Sequence, residues 1–135
     1  MTAETTAATG ATTITTSAIT IHLQPGERYA GPVLDAEGNV KHHLVLLPNK
    51  PETRLNWDDA KAWASSVGGQ LPDRQEQALL YANCKPHLQP KLHWSSEEDE
   101  DDASYAWYCD FYGGYQILTH ESFEGSAVAV RRLNP

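Results

Sequence analysis

The sequence predicts an α+β domain in which two helices flank a twisted antiparallel sheet that ends in a late β-meander. Three observations carry this expectation. Helical spacing with capping residues is confined to 55–84, period-two alternation and turn residues dominate on both sides, and the last third passes from strand to strand with no helical pattern between.

The chain has 135 residues, 40% of them hydrophobic and 21% charged, with four Trp and six Tyr, enough apolar and aromatic surface for one compact domain. Its formal net charge of −8 argues against direct contact with nucleic-acid phosphates or an anionic membrane surface, both of which call for clustered Lys and Arg. Cys84 and Cys109 are the two cysteines, too few for the usual disulfide framework of a small secreted domain, and reduced thiols are expected. No apolar run approaches the ~20 residues that cross a bilayer, and Glu4 stands where a signal peptide would be basic. The expectation is a protein cytoplasmic when made, in a bacterial host cell, with virion association left open.

Met1 to Thr16 is almost entirely Thr and Ala, without large side chains to anchor it, and is expected to be a flexible tail ahead of a single domain over 17–135. Ile19, Ile21 and Leu23 alternate with Thr20 and His22, which predicts a half-buried strand ended by Pro25-Gly26. Tyr29 to Leu34 and His42 to Leu47 flank Asp35-Ala36-Glu37-Gly38-Asn39 and predict a hairpin. Adjacent strand residues point to opposite faces, so His42 and His43 read as surface and edge histidines rather than as a metal pair.

The clearest helix starts after Asn56, a good N-cap, with Asp58 and Asp59 at its positive end and Gly68 or Gly69 as a left-handed exit. Trp57, Ala60, Ala64 and Val67 form its buried stripe, with Trp63 at the margin. Asp73-Arg74-Gln75-Glu76 has the form of a capping box, which assigns Glu76 to helix initiation rather than acid catalysis. The second helix runs to about Cys84, with Leu79, Leu80 and Tyr81 as its apolar content, and Pro86 stops it.

Strand patterns return at Leu92 to Ser96, at Tyr105 to Tyr112, at Tyr115 to Thr119 after a two-residue Gly113-Gly114 turn, and at Ala127 to Leu133. Alternation puts Trp107, Cys109 and Phe111 on a core face, and Tyr108, Asp110 and Tyr112 on the opposite one. Cross-strand pairing adds Tyr115, Ile117 and Thr119 to that outward surface.

Trp57-Asp58-Asp59-Ala60, Gly68-Gly69-Gln70-Leu71-Pro72-Asp73 with Glu76, Trp94-Ser95-Ser96, Ala106-Trp107-Tyr108-Cys109-Asp110-Phe111 and Val130-Arg131-Arg132-Leu133 together resemble the Lcl C-terminal domain-like family of bacteria and phages. The resemblance covers roughly Thr53 to Leu133. It implies a C-type-lectin-like fold close to the formylglycine-generating-enzyme and phage variable-protein types. In the variable-protein branch this late sheet region meets ligand, which makes Tyr108, Asp110, Tyr112, Tyr115 and Thr119 the candidate ligand- or partner-binding residues. The tripeptides with which calcium-dependent lectins hold calcium and sugar do not occur, and no matching pair of active-site cysteines is present. No metal and no cofactor are expected.

Glu97, Glu98, Asp99, Glu100, Asp101 and Asp102 form the longest charge run, expected as a solvated loop that could dock on a basic protein. Ser95, Ser96 and the histidines lie in no nucleophile-elbow context, so no catalytic residue is assigned. The leading expectation is a non-enzymatic binding module, phage- or prophage-encoded, that recognises a protein or glycan through the late sheet face and loops. The alternative is an acidic intracellular phage protein that inhibits a host system by binding a basic protein, nucleic-acid-binding proteins included. A hydrolase or modifying enzyme ranks third.

Overall fold

A computed structural model of the chain describes residues 18–135 together with Ala3–Glu4 and Thr15–Thr16. The rest of the expected 1–16 tail, and Ser17, where structure was expected to begin, lie outside the described residues. Ala3–Glu4 (β1) and Thr15–Thr16 (β2) pair antiparallel. The strand expected over Ile19 to Leu23 is not formed: the segment is irregular, and Ile19 and Leu23 are 45% and 43% exposed. Alternation makes a strand only where an edge is offered to pair with, and no described strand runs beside it.

The α+β expectation holds, with two helices, but the single twisted sheet is two antiparallel three-stranded sheets. The first has the order β3-β4-β8, from Arg28–Leu34 (β3), Val40–Leu46 (β4) and Val130–Leu133 (β8). The second is the expected meander, β5-β6-β7, from Leu92–Glu98, Tyr105–Asp110 and Gln116–His120. The β3–β4 hairpin turns where expected: Asp35 Oδ1 accepts from the Glu37 and Asn39 amides at 3.0 and 2.9 Å.

Helix α1, Trp57–Ser66, starts as its N-cap requires, with Asn56 Oδ1 accepting from the Asp59 amide at 2.9 Å, and ends against Gly68 at φ +84°. Helix α2, Arg74–Cys84, opens on the complete capping box, Asp73 Oδ1 to the Glu76 amide at 2.8 Å and Glu76 Oε1 to the Asp73 amide at 2.9 Å. Pro86 turns the chain into a short 3-10 segment, Lys85–His87.

Two cores result. One joins Leu44 and Leu46 of β4 with Leu80 and Cys84 of α2, and with Cys109 and Phe111. The other joins Trp57, Ala60 and Ala64 of α1 with Leu71, Trp94 and Ala106. Ala127 to Val130 passes between them, Val128 and Val130 entering the first core, Ala127 and Ala129 the second. That passage shortens the last strand, expected from Ala127, to Val130–Leu133: the backbone of 127–129 lies between cores instead of along a strand, with Ala129 O taken by the Leu47 amide at 3.0 Å. No described helix is long and apolar enough to cross a membrane.

Candidate ligand-binding face

The register of the second sheet assigns its faces. His93 pairs with Cys109 and Cys109 with Gln116; Trp94 pairs with Tyr108 and Tyr108 with Ile117; Ala106 pairs with Thr119. Because side chains alternate, Cys109, Trp107 and Leu118 turn toward α2, while Trp94, Tyr108, Ile117 and Thr119 share the opposite face. The expected grouping of Tyr108 with Ile117 and Thr119 therefore holds, although the connection differs. The turn is not the two residues Gly113-Gly114: the Asp110 amide donates to Tyr115 O at 3.0 Å, and a four-residue loop, 111–114, lies between. Two added residues slide the register by two places, which preserves every face.

The loop is wide because it packs on α2. Gly114 has φ +82°, and a Cβ there would lie 2.6 Å from Tyr81 Cε2, so only glycine lets the chain pass. Asp110 organises the same loop, its Oδ1 accepting from the Tyr112 amide at 2.9 Å. The Asp110 carboxylate beside the Tyr115 hydroxyl also raises that phenol's pKa.

Exposure departs from simple parity. Tyr108 lies on the expected face but is half-buried, its ring 6.3 Å from Trp94 and 6.0 Å from Phe123. Trp107, expected in the core, is also half-buried, with the Arg74 guanidinium 4.2 Å above its ring. Both faces of β6 are thus covered, one by α2 and the other by Trp94 and the 121–127 connection. Tyr112 at the loop tip is 74% exposed, Tyr115 51%, Ile117 41% and Phe123 38%; Thr119 is half-buried opposite Ala106. Phe123 is the member that strand reasoning missed. It stands alone in the polar run Glu121-Ser122-Phe123-Glu124, where no periodicity marks a face.

Phe123 also forms one wall of a cleft of about 560 Å³ whose other walls include Glu52, Arg54, Lys91 and Leu92. The exposed apolar face therefore runs into a concavity edged by both signs of charge.

The acidic run is not one loop. Glu97 and Glu98 complete β5, and the turn begins at Asp99. Glu97 Oε2 accepts from the Arg74 amide at 2.7 Å, and its Oε1 lies 3.4 Å from Arg74 Nε. Asp102 Oδ1 accepts from the Ser104 amide at 2.9 Å. Glu97, Glu98, Asp99, Glu100 and Asp101 line a second cleft of about 420 Å³ with Arg74 and Trp107. Glu121 lies near Glu98: burial first, then hydrogen bonding and charge from Glu98, push its carboxyl up to about 7.

The remaining polar candidates are in structural use. Ser95 Oγ donates to Trp107 O at 2.7 Å. Glu76 is wholly buried, and His42, expected at an edge, is held against it with Nε2 2.7 Å from Oε2, while His43 contacts the Tyr29 hydroxyl. Cys84 and Cys109 are buried free thiols, and burial pushes Cys109 up to about 11. Among the described residues no group of three or more His, Cys, Asp or Glu is placed to hold a metal ion. Comparison with protein-family models and with curated proteins finds no match.

Proposed function

We propose that this chain is a non-enzymatic binding module of C-type-lectin-like architecture, whose ligand, a protein or glycan, lies on the face formed by Tyr108, Tyr115, Ile117 and Phe123 and reaches the adjoining cleft. The observation that carries the reading is the exposure of Tyr115, Ile117 and Phe123 around the half-buried Tyr108 ring, with Phe123 leading into a concavity of about 560 Å³. Single exposed hydrophobes are ordinary on a protein surface, whereas a grouped set beside a cleft is what a recognition surface needs. Tyrosine supplies contact area with few rotors to immobilise, and the Asp110 carboxylate stands beside the Tyr115 hydroxyl. The two small sheets and two helices are compatible with the α+β class to which that architecture belongs.

The test is capture on glycan arrays and from host proteins with the wild-type chain and with Tyr115→Ala and Ile117→Asp. Each variant is expected to weaken capture by ~1–3 kcal/mol and to melt like the wild type. Undiminished capture by both variants overturns the reading.

A second reading rests on the cleft lined by Glu97 to Asp101, which favours an acidic protein that inhibits a host system by docking on a basic partner. Capture that survives both face variants but disappears when Asp99, Glu100, Asp101 and Asp102 are neutralised, and that weakens steeply with salt, selects it.

A further inference from the structure

The strand edges of this fold are treated unequally. On β3, Asn83 Nδ2 of α2 donates to Ala30 O at 2.5 Å and Gln75 Nε2 to Leu34 O at 2.8 Å, and the strand carries Pro32 and two register shifts. On β8, Val130 exchanges both backbone bonds with Gln70 at 2.9 and 3.0 Å. On β5, Ser126 O takes the Trp94 amide, Leu92 O takes the Ser126 amide, and Pro72 O takes the Ser96 amide. These are the usual ways to cover or blunt an edge.

Among the described residues, the outer edge of β7 has none of them from Gln116 to Leu118. β7 is terminal in its sheet, its register with β6 is unbroken, and Gln116-Ile117-Leu118-Thr119-His120 contains neither Pro nor Lys. Bonded pairs recur at alternate positions of an antiparallel ladder. The bonds Asp110 N to Tyr115 O and Glu121 N to Ser104 O therefore assign the backbone groups of Ile117 and Thr119 to β6, and those of Gln116, Leu118 and His120 to the outside. The His120 carbonyl takes the Phe123 amide at 2.9 Å; among the described residues no backbone group pairs with the N–H and C=O of Gln116 and Leu118 or with the His120 N–H.

The surroundings of this edge are acidic. Glu121 follows β7 directly, with Glu98 beside it, and its amide bond to Ser104 brings the Asp99 to Asp102 turn to that end of the strand; Asp110 stands at the other end. The nearby cations are already engaged, Arg74 with Glu97 at 3.4 Å and Lys61 with Asp58 at 3.3 Å. A second copy, carrying the same net charge of −8, would meet this field with like charge.

We infer that the outer edge of β7 is a strand-addition site for an extended, basic segment of another polypeptide. The incoming backbone pairs with Gln116, Leu118 and His120, one row of its side chains lies beside Tyr115 and Ile117, and its lysines or arginines face the acidic ends of the strand. This rests on the proposed binding role and gives it a partner: the sheet edge supplies affinity through main-chain bonds, and the apolar face and acidic turn supply specificity.

The test uses the full chain and a labelled peptide of about nine residues that alternates lysine with valine, followed by fluorescence anisotropy at low and high salt. Two further peptides carry N-methyl groups on residues of one parity or the other. Binding of the parent peptide, loss with one methylated parity only, and roughly tenfold weaker binding of a glutamate-for-lysine version at low salt support the inference. Leu118→Pro, which removes an outward N–H and no bond to β6, should abolish binding; the methylated peptides keep the test sharp if that variant fails to fold. No binding of the parent peptide, equal effects of the two parities, or equal binding of the glutamate version overturns it. So does binding that appears only after Met1 to Ser17 is removed, which would give the edge to the chain's own N-terminal segment, or a dimer that Leu118→Pro dissolves. If peptide binding fails while Ile117→Asp still weakens capture of an array or host ligand, the face reading stands and the edge inference alone falls.

Discussion

Arg132 and Glu76 form a two-pronged ion pair, with Nε 2.7 Å from Oε2 and Nη2 2.7 Å from Oε1, which ties β8 to the first turn of α2. Burial alone would push the Glu76 carboxyl up. The Arg132 hydrogen bonds, the Asp73 amide and His42 outweigh burial, and the pKa ends below 4.5. Glu76 thus caps its helix, anchors the last strand and engages β4 through His42.

Arg132→Ala should therefore cost about 3–5 kcal/mol near neutral pH, because it strands a fully buried carboxylate. Because the folded pKa is lowered, this contribution is present above 4.5 and is lost as pH falls through the folded value. Urea midpoints of variant and wild type should converge in acid, and a constant gap would refute the pairing as the cause.

His93 gives a second acid response. Burial drives its pKa from 6.5 to about 4, with the Lys91 carbonyl accepting from Nδ1 at 2.8 Å. Between these values the unfolded chain takes up a proton that the folded one refuses, so stability falls as pH drops from 6.5 toward 4. His93→Gln should flatten that part of the melting-temperature profile; parallel profiles would contradict a neutral buried imidazole.

Glu121 works in the opposite direction. Its folded pKa is raised from 4.5 to about 7, first by burial and then by Glu98, so the folded chain retains a proton that the unfolded chain has released. The stabilisation is complete below 4.5 and is lost as pH rises through about 7. Glu121→Gln, a permanent mimic of the protonated form, should gain on wild type as pH rises through that window, and an unchanged difference in melting temperature would show that the carboxyls share no proton.

The tryptophans should separate. Trp94 is 1% exposed and donates from Nε1 to Leu55 O at 2.8 Å, so Trp94→Ala should cost ~3–5 kcal/mol. Trp107 is half-buried under Arg74, and its replacement by Ala should cost about 1–2 kcal/mol, mostly lost packing and cation–π contact. Equal losses in chemical denaturation would place both rings in the core.

The helix ends, the hairpin turn and the late meander were legible because each depends on groups within a few residues of one another. Asn56 reaches Asp59, Asp73 reaches Glu76, and Asp35 reaches Asn39. Parity also survived an error in the loop: the 111–114 connection is two residues longer than expected, and Tyr108 still shares a face with Ile117. The strand expected at Ile19 to Leu23 failed because alternation names a face without supplying a partner edge. Phe123 was invisible for the reverse reason, since it belongs to no periodic segment and reaches the candidate face only through Tyr108 and Trp94.

By itself, then, the sequence determined where the helices start, which strands form the second sheet, and which side chains share its faces, because capping bonds and the two-residue period act over short distances. Tertiary structure alone decided which faces are covered, that the strands divide into two sheets, and that Glu76 faces Arg132, 56 residues away. The physical reason is that burial is shared among segments far apart in the chain, so Trp107 acquires Arg74 as its cover, and β7 stands at the edge of its sheet among the described residues, only once α2 and the connection after His120 have been packed in place.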